Sequence, residues 1–139
     1  MKVGSTDFPL AHLAIAVKTL AEGAPLYAAL GFTLHEPETI EREKVRVQLA
    51  SKGELHIELL EANPAGEGPI ARFLEKRGPG LHHVALSSTD LARDLAALQS
   101  SGVVPLKGYP APGAAGTQVA FLDPKTTGGV LIELVAPRA

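Results

Sequence analysis

A chain of 139 residues that is 45% hydrophobic has enough apolar material for one core without cross-links. Its formal net charge of −2 gives no electrostatic reason to bind nucleic acid or an anionic membrane surface. The absence of cysteine excludes a disulfide framework, a thiolate metal site and a cysteine nucleophile, so any metal must rest on nitrogen and oxygen ligands.

The opening MKVGSTDFPL is too short and too polar for a secretory signal, and no apolar run approaches membrane-spanning length; a soluble, cytoplasmic protein is the expectation. HLAIAV at His12–Val17 alternates with period two and predicts a strand. Leu13, Ile15 and Val17 form a face fit to pack under a helix, while His12, Ala14 and Ala16 form a small-sided face fit to line a cavity. Leu20–Leu30 reads as a helix interrupted by Gly23 and Pro25. Because proline is tolerated at the first helical position, the regular helix is expected only from about Ala24-Pro25. Gly31–Glu41 leaves room for a strand, and VRVQLA (Val45–Ala50) is one. In HIELL, Ile57 and Leu59 share a face opposite His56, Glu58 and Leu60. Asn63–Gly68 is a loop, after which Pro69 opens a short helix with Ile70, Phe73 and Leu74 on one face, stopped by Gly78-Pro79-Gly80.

The second half repeats the first. HVALSS (His83–Ser88) matches HLAIAV, with Val84 and Leu86 on one face and His83, Ala85 and Ser87 on the other. Thr89 or Asp90 caps a helix in which Leu91, Leu95 and Leu98 recur at helical spacing before Ser101-Gly102 ends it. Val103–Tyr109 leaves room for a strand, and TQVAFL (Thr117–Leu122) and IELV (Ile132–Val135) close the half. The interval from His12 to Gly31 equals that from His83 to Gly102. Two tandem βαβββ modules, an α+β fold, are therefore expected within a single domain over residues 8–137. Module one covers about 8–62, a linker helix 69–78 and module two about 80–137.

His12 and His83 occupy equivalent repeat positions, and so do Glu58 and Glu133. A lone strand histidine is usually a hydrogen-bonded core residue, and a lone glutamate in an apolar strand usually faces water at an edge. Neither explains why both types recur in register in both halves. An unpaired carboxylate buried beside Ile and Leu costs several kcal/mol, which a divalent cation offsets. His12, Glu58, His83 and Glu133 are the candidate metal ligands. His82 faces away from His83, and His56 is assigned to the surroundings of the site or to the surface. Two imidazoles and two carboxylates fit several first-row divalent ions, leave coordination positions open, and suit Lewis-acid chemistry on a carbonyl. Gly113–Gly116 reads as a flexible turn, and Arg72, Lys76, Arg77 and Lys125 as solvated surface.

Three stretches carry a more specific signal: IELLEA (Ile57–Ala62), PIARFLEKRGPGLHHVAL (Pro69–Leu86) and VAFLDPKTTGGVLIELV (Val119–Val135). They resemble the methylmalonyl-CoA epimerases of the vicinal oxygen chelate (glyoxalase/bleomycin-resistance-like) superfamily, over about Phe8 to Pro137. The resemblance implies a curved mixed sheet around a metal-binding cavity. It also implies a homodimer, and a metal-dependent epimerase that interconverts (R)- and (S)-methylmalonyl-CoA through an enolate. By position it places one divalent ion (Co, Mn, Ni, Zn or Mg) on His12, Glu58, His83 and Glu133, with Glu133 also acting as acid/base on an acyl-CoA substrate. Some epimerases carry a second glutamate on the strand matching Val45–Ala50; here Val47 stands there, beside Gln48. The second proton carrier is then Glu43, a bound water or Glu58. The alternatives are a glyoxalase I-type lactoylglutathione lyase and a non-catalytic small-molecule-binding protein of the same fold.

Overall fold

The structure, a computed structural model, describes residues 8–137. Their contacts group into two compact units, one over His12–His82 and one over residues 83–137 together with residues 8–11. None of the described helices is long and apolar enough to cross a membrane.

The first unit holds most of β1 (Leu10–Ala16), then α1 (Leu20–Ala29), β2 (Thr33–Leu34), β3 (Glu38–Ile40), β4 (Val45–Lys52), β5 (Leu55–Ala62) and α2 (Gly68–Arg77). Its strands run in the order β2-β4-β5-β1, with β3 also paired to β4. The β1–β5 pair is parallel and the β4–β5 pair is antiparallel along its whole length. The single strand expected in Gly31–Glu41 is split into β2 and β3. Pro37 lies between them, and a residue without an N–H cannot extend a ladder.

Alternation gives this sheet two apolar faces. Ile15, Val17, Ile57 and Leu59 pack with Leu20, Ala24 and Tyr27 of α1. On the other face Ala14, Ala16, Val45, Val47, Leu60 and Ala62 form a second cluster with Ile70, Phe73 and Leu74 of α2. Ala14 and Ala16, read from sequence as a cavity lining, are fully buried, because α2 closes their face with its own apolar stripe.

α1 also differs from expectation: it starts at Leu20 and runs unbroken through Pro25. Thr19 caps it, its Oγ1 accepting from Glu22 N–H at 3.1 Å, and the Leu20 N–H donates to Glu61 Oε1 at 2.7 Å. Two of the free donors of the first turn are thereby satisfied, which offsets the poor helix propensity of Gly23 and Pro25. Gly23 has a packing reason. A Cβ there would stand 2.5 Å from Val17 Cγ1, so only glycine lets the helix lie this close to the strand.

The second unit is built from β6 (Gly80–Ser87), whose first residues group with the first unit, α3 (Leu91–Ser100), β7 (Ala111–Pro112), β8 (Thr117–Leu122) and β9 (Ile132–Pro137). The strand order is β6-β9-β8-β7. Leu91 and Leu95 of α3 pack with Ala120, Leu122, Leu134 and Ala136, and Phe8 joins the same cluster. Asp90 caps α3 by accepting from Arg93 N–H at 3.2 Å. The Ser87 N–H donates to the Pro9 carbonyl at 2.7 Å, which ties the segment before β1 to this unit. The strand expected within Val103–Tyr109 is reduced to one bridge, Pro105 to Leu122, and the short β7 lies beyond it. Pro105 cannot donate, and the ladder does not propagate there.

Candidate metal centre

In the first unit His12 stands on β1 and is 7% exposed. The parallel register sets Ala14 beside Glu58 of β5, so the histidine sits two residues ahead of the rung that holds the carboxylate. Nε2 of His12 lies 3.4 Å from Oε1 of Glu58, whose side chain is 19% exposed. Leu49 of β4, directly opposite Glu58, completes the rung.

The second unit builds the same arrangement. β6 and β9 are parallel, Ala85 is beside Glu133, and His83 again stands two residues ahead. Nε2 of His83 lies 3.2 Å from Oε1 of Glu133, with the residues 5% and 7% exposed. Phe121 of β8, opposite Glu133, meets the His83 ring edge-on at 5.0 Å, and Tyr109 meets Phe121 in turn at 5.3 Å. The Phe121 ring, itself backed by Tyr109, packs against the imidazole and limits its orientation. The duplicated spacing in the sequence thus becomes a duplicated stagger across a parallel strand pair. That stagger is why each histidine meets a glutamate.

The donor chemistry fits a divalent cation. Each pair offers one imidazole nitrogen and one carboxylate oxygen, 3.2–3.4 Å apart. Adjacent ligand atoms about 2.1 Å from an octahedral ion are themselves about 3 Å apart, so either pair could chelate with little adjustment. His12 in the one unit and His83 and Glu133 in the other are all buried, so each presents a ligand atom shielded from bulk water. A buried carboxylate is costly without a compensating charge, and a cation supplies one.

The other residues singled out from sequence fall elsewhere. His82 packs edge-on against Phe73 at 5.0 Å. His56 is exposed and sits opposite Ser51, whose Oγ is 2.8 Å from His35 Nε2. Val47 is buried in the cluster closed by α2. Glu43 lies in the one-turn helix Glu41–Glu43, 3.9 Å from Arg42 Nη1. Gly113 carries no phosphate cradle: a Cβ there would meet Val119, which accounts for the glycine by packing. Arg77 lies over the Phe73 ring, and Lys125 follows Asp123, whose carboxylate accepts the Lys125 N–H. Sequence reading passed over two features. Glu38 stands directly opposite Val47, which only the β3–β4 register reveals. Ser88 Oγ donates to Asp94 Oδ2 at 2.6 Å with both residues buried; a serine before a helix and an aspartate in its first turn was the available signal.

Residues 11–121 match the family model described as the Glyoxalase/Bleomycin resistance protein/Dioxygenase superfamily. The chain is 39% identical over 129 residues to the ethylmalonyl-CoA/methylmalonyl-CoA epimerase of Cereibacter sphaeroides, covering 90% of this chain and 95% of the relative. The crystal structure of methylmalonyl-CoA epimerase from Mycobacterium tuberculosis superposes with a TM-score of 0.91 at 32% identity, over 99% of this chain and 94% of that one. A methylmalonyl-CoA epimerase in complex with methylmalonyl-CoA and NH4+ gives 0.88 at 30% identity, over 96% and 97%. The tandem βαβββ fold, the repeated His and Glu positions and these similarities agree: the chain belongs to the glyoxalase/bleomycin resistance protein/dioxygenase superfamily, and within it to the methylmalonyl-CoA epimerase family.

Proposed function

We propose that this protein interconverts the (R) and (S) epimers of methylmalonyl-CoA. The observation that carries the proposal is the duplicated pair of a buried histidine and a glutamate, His12 with Glu58 and His83 with Glu133, in a chain of the epimerase family. His12, Glu58, His83 and Glu133 would be the ligands of one divalent ion. When bound, that ion supplies a positive charge that stabilises negative charge on a carbonyl oxygen.

The remaining chemistry belongs to the chain. Glu133 takes the proton from the carbon between the thioester and the carboxylate. The C–H electron pair moves into the thioester carbonyl and gives an enolate. A proton of solvent origin delivered to the opposite face re-forms the C–H bond and yields the other epimer, and Glu133 releases the proton it took to solvent before the next turnover. His83, held by Phe121, fixes Glu133 in place, and the burial of both keeps bulk water from competing for the proton.

The test is incubation with one epimer of methylmalonyl-CoA in deuterated water. Appearance of the second epimer together with α-deuterium is the expected result. Turnover of a glutathione hemithioacetal with no change in methylmalonyl-CoA would replace this reading with the lactoylglutathione lyase one.

A further inference from the structure

We propose that His35 and His56 form a second site for a late first-row divalent ion such as Ni²⁺, held over the Ser51 hydroxyl and separate from the centre described above. All three residues belong to the first unit.

Strand register brings them together. Ser51 of β4 stands directly opposite His56 of β5. On the other side of β4, the β2 ladder continues one residue past Leu34, with the His35 N–H donating to the Leu49 carbonyl at 2.9 Å. His35 is therefore the neighbour of Leu49. Leu49 and Ser51 are two residues apart on one strand, so His35, Ser51 and His56 all project from one face. This end of the face is open. His35 and His56 are exposed and Ser51 is half-buried, while the cluster that α2 closes involves Val45, Val47, Leu60 and Ala62 instead.

The two imidazoles flank the hydroxyl. His35 leans along β4 from the row of Leu49 to that of Ser51, where its Nε2 lies 2.8 Å from Ser51 Oγ. His56 starts from the other side, its Cβ about 5 Å from that of Ser51. Two strand spacings across and two residues along put the Cα atoms of the histidines roughly 12 Å apart. An ion bound to an imidazole nitrogen lies about 6 Å from the Cα of its histidine, so the two side chains reach one ion from opposite sides. Nε2 of His35 has a lone pair for it in the tautomer that accepts the Ser51 O–H. The hydroxyl oxygen and water fill the remaining positions.

The donor set selects the ion. Imidazole suits Ni²⁺, Cu²⁺ and Zn²⁺, whereas Mg²⁺ would find one hydroxyl and no carboxylate. Glu58 shares the face but lies one row away, 3.4 Å from His12. With two protein nitrogens, this is the weaker site and fills second. A serine nucleophile activated by His35 is the competing reading. Such a base needs a third group to orient it, and among the described residues none bonds His35 Nδ1.

The experiment is equilibrium dialysis of the full chain, already holding its first ion, against Ni²⁺, with total divalent metal counted per chain. The wild type should take up one further ion. His35→Ala and His56→Ala should each weaken that second step by about tenfold or more, and both side chains are exposed, so neither change threatens the core. In the wild type, Ni²⁺ should also protect both rings from acylation by diethyl pyrocarbonate, read by peptide mass spectrometry. No uptake beyond the first ion overturns the site. So does uptake that survives in either variant, since a second imidazole is then not required, or acylation of both rings at an unchanged rate.

Discussion

Replacing Glu133 by glutamine separates the proposed proton-transfer role from ligation and from folding. Glu133 is 7% exposed, with Oε1 3.2 Å from His83 Nε2. Glutamine has nearly the same volume and keeps a carbonyl oxygen at that place, so no cavity opens and the imidazole contact survives. The structural cost is then confined to exchanging a charge-assisted contact for a neutral one, about 1 kcal/mol. A general acid/base group contributes about 10²–10⁴-fold to the rate, which is about 2.7–5.4 kcal/mol in the barrier. The two effects differ enough to be read independently. Thermal unfolding should shift by only a few degrees, and metal analysis should still find an ion, because an amide oxygen coordinates. Epimerisation, followed by NMR in deuterated water, should fall by at least 10²-fold. If the variant epimerises methylmalonyl-CoA at nearly the wild-type rate with metal bound, Glu133 is a ligand and nothing more, and the proton-transfer scheme built on it is wrong.

Metal content offers a direct check on the ligand set. The purified protein should hold about one divalent ion per chain, and His12→Ala or His83→Ala should each leave it well below that stoichiometry; full occupancy in both variants would dismiss the four-residue centre. Stripping the ion with a chelator should lower the melting temperature, since an ion bound only to the folded state at about 100 times its dissociation constant adds about 2.7 kcal/mol. Ser88→Ala should destabilise by about 1–3 kcal/mol in urea titration, because it leaves one oxygen of the buried Asp94 without its donor; a change within experimental error would mean that Arg93, 3.7 Å from the other oxygen, already carries that carboxylate. A homodimer is expected in solution; a monomer by light scattering at micromolar concentration would refute it.

Much of the fold was legible because it rests on period and punctuation. Alternation in HLAIAV, HVALSS and IELV located the strands, and the leucine spacing in Leu91–Leu98 with Asp90 ahead of it located α3. Local rules failed where a tertiary contact outweighed them. Gly23 and Pro25 argued against a helix starting at Leu20, yet Thr19, Glu61 and the close approach to Val17 together hold one there. Alternation suggested that Ala14 and Ala16 line a cavity. That face is closed by α2, whose apolar stripe was itself visible but whose docking place was not. A helix stripe shows that some face will be covered, not which one.

The candidate ligands were legible for a stricter reason. Duplication fixes the His-to-Glu stagger twice, and parallel pairing converts equal spacing into equal geometry, so each half predicts the other. Glu38 has no counterpart of that kind. In the second unit Ala111 of β7 holds the place opposite Val119 that Glu38 holds opposite Val47, so the repeat gives no hint of a carboxylate there. A duplicated scaffold predicts a second copy of each shared position, but a residue present in one half alone is placed only once the strands are paired. Positions the halves share are therefore read from the sequence, and positions where they differ only from the register: Glu133 opposite Phe121 repeats the place of Glu58 opposite Leu49, whereas Glu38 opposite Val47 is matched by an alanine opposite Val119.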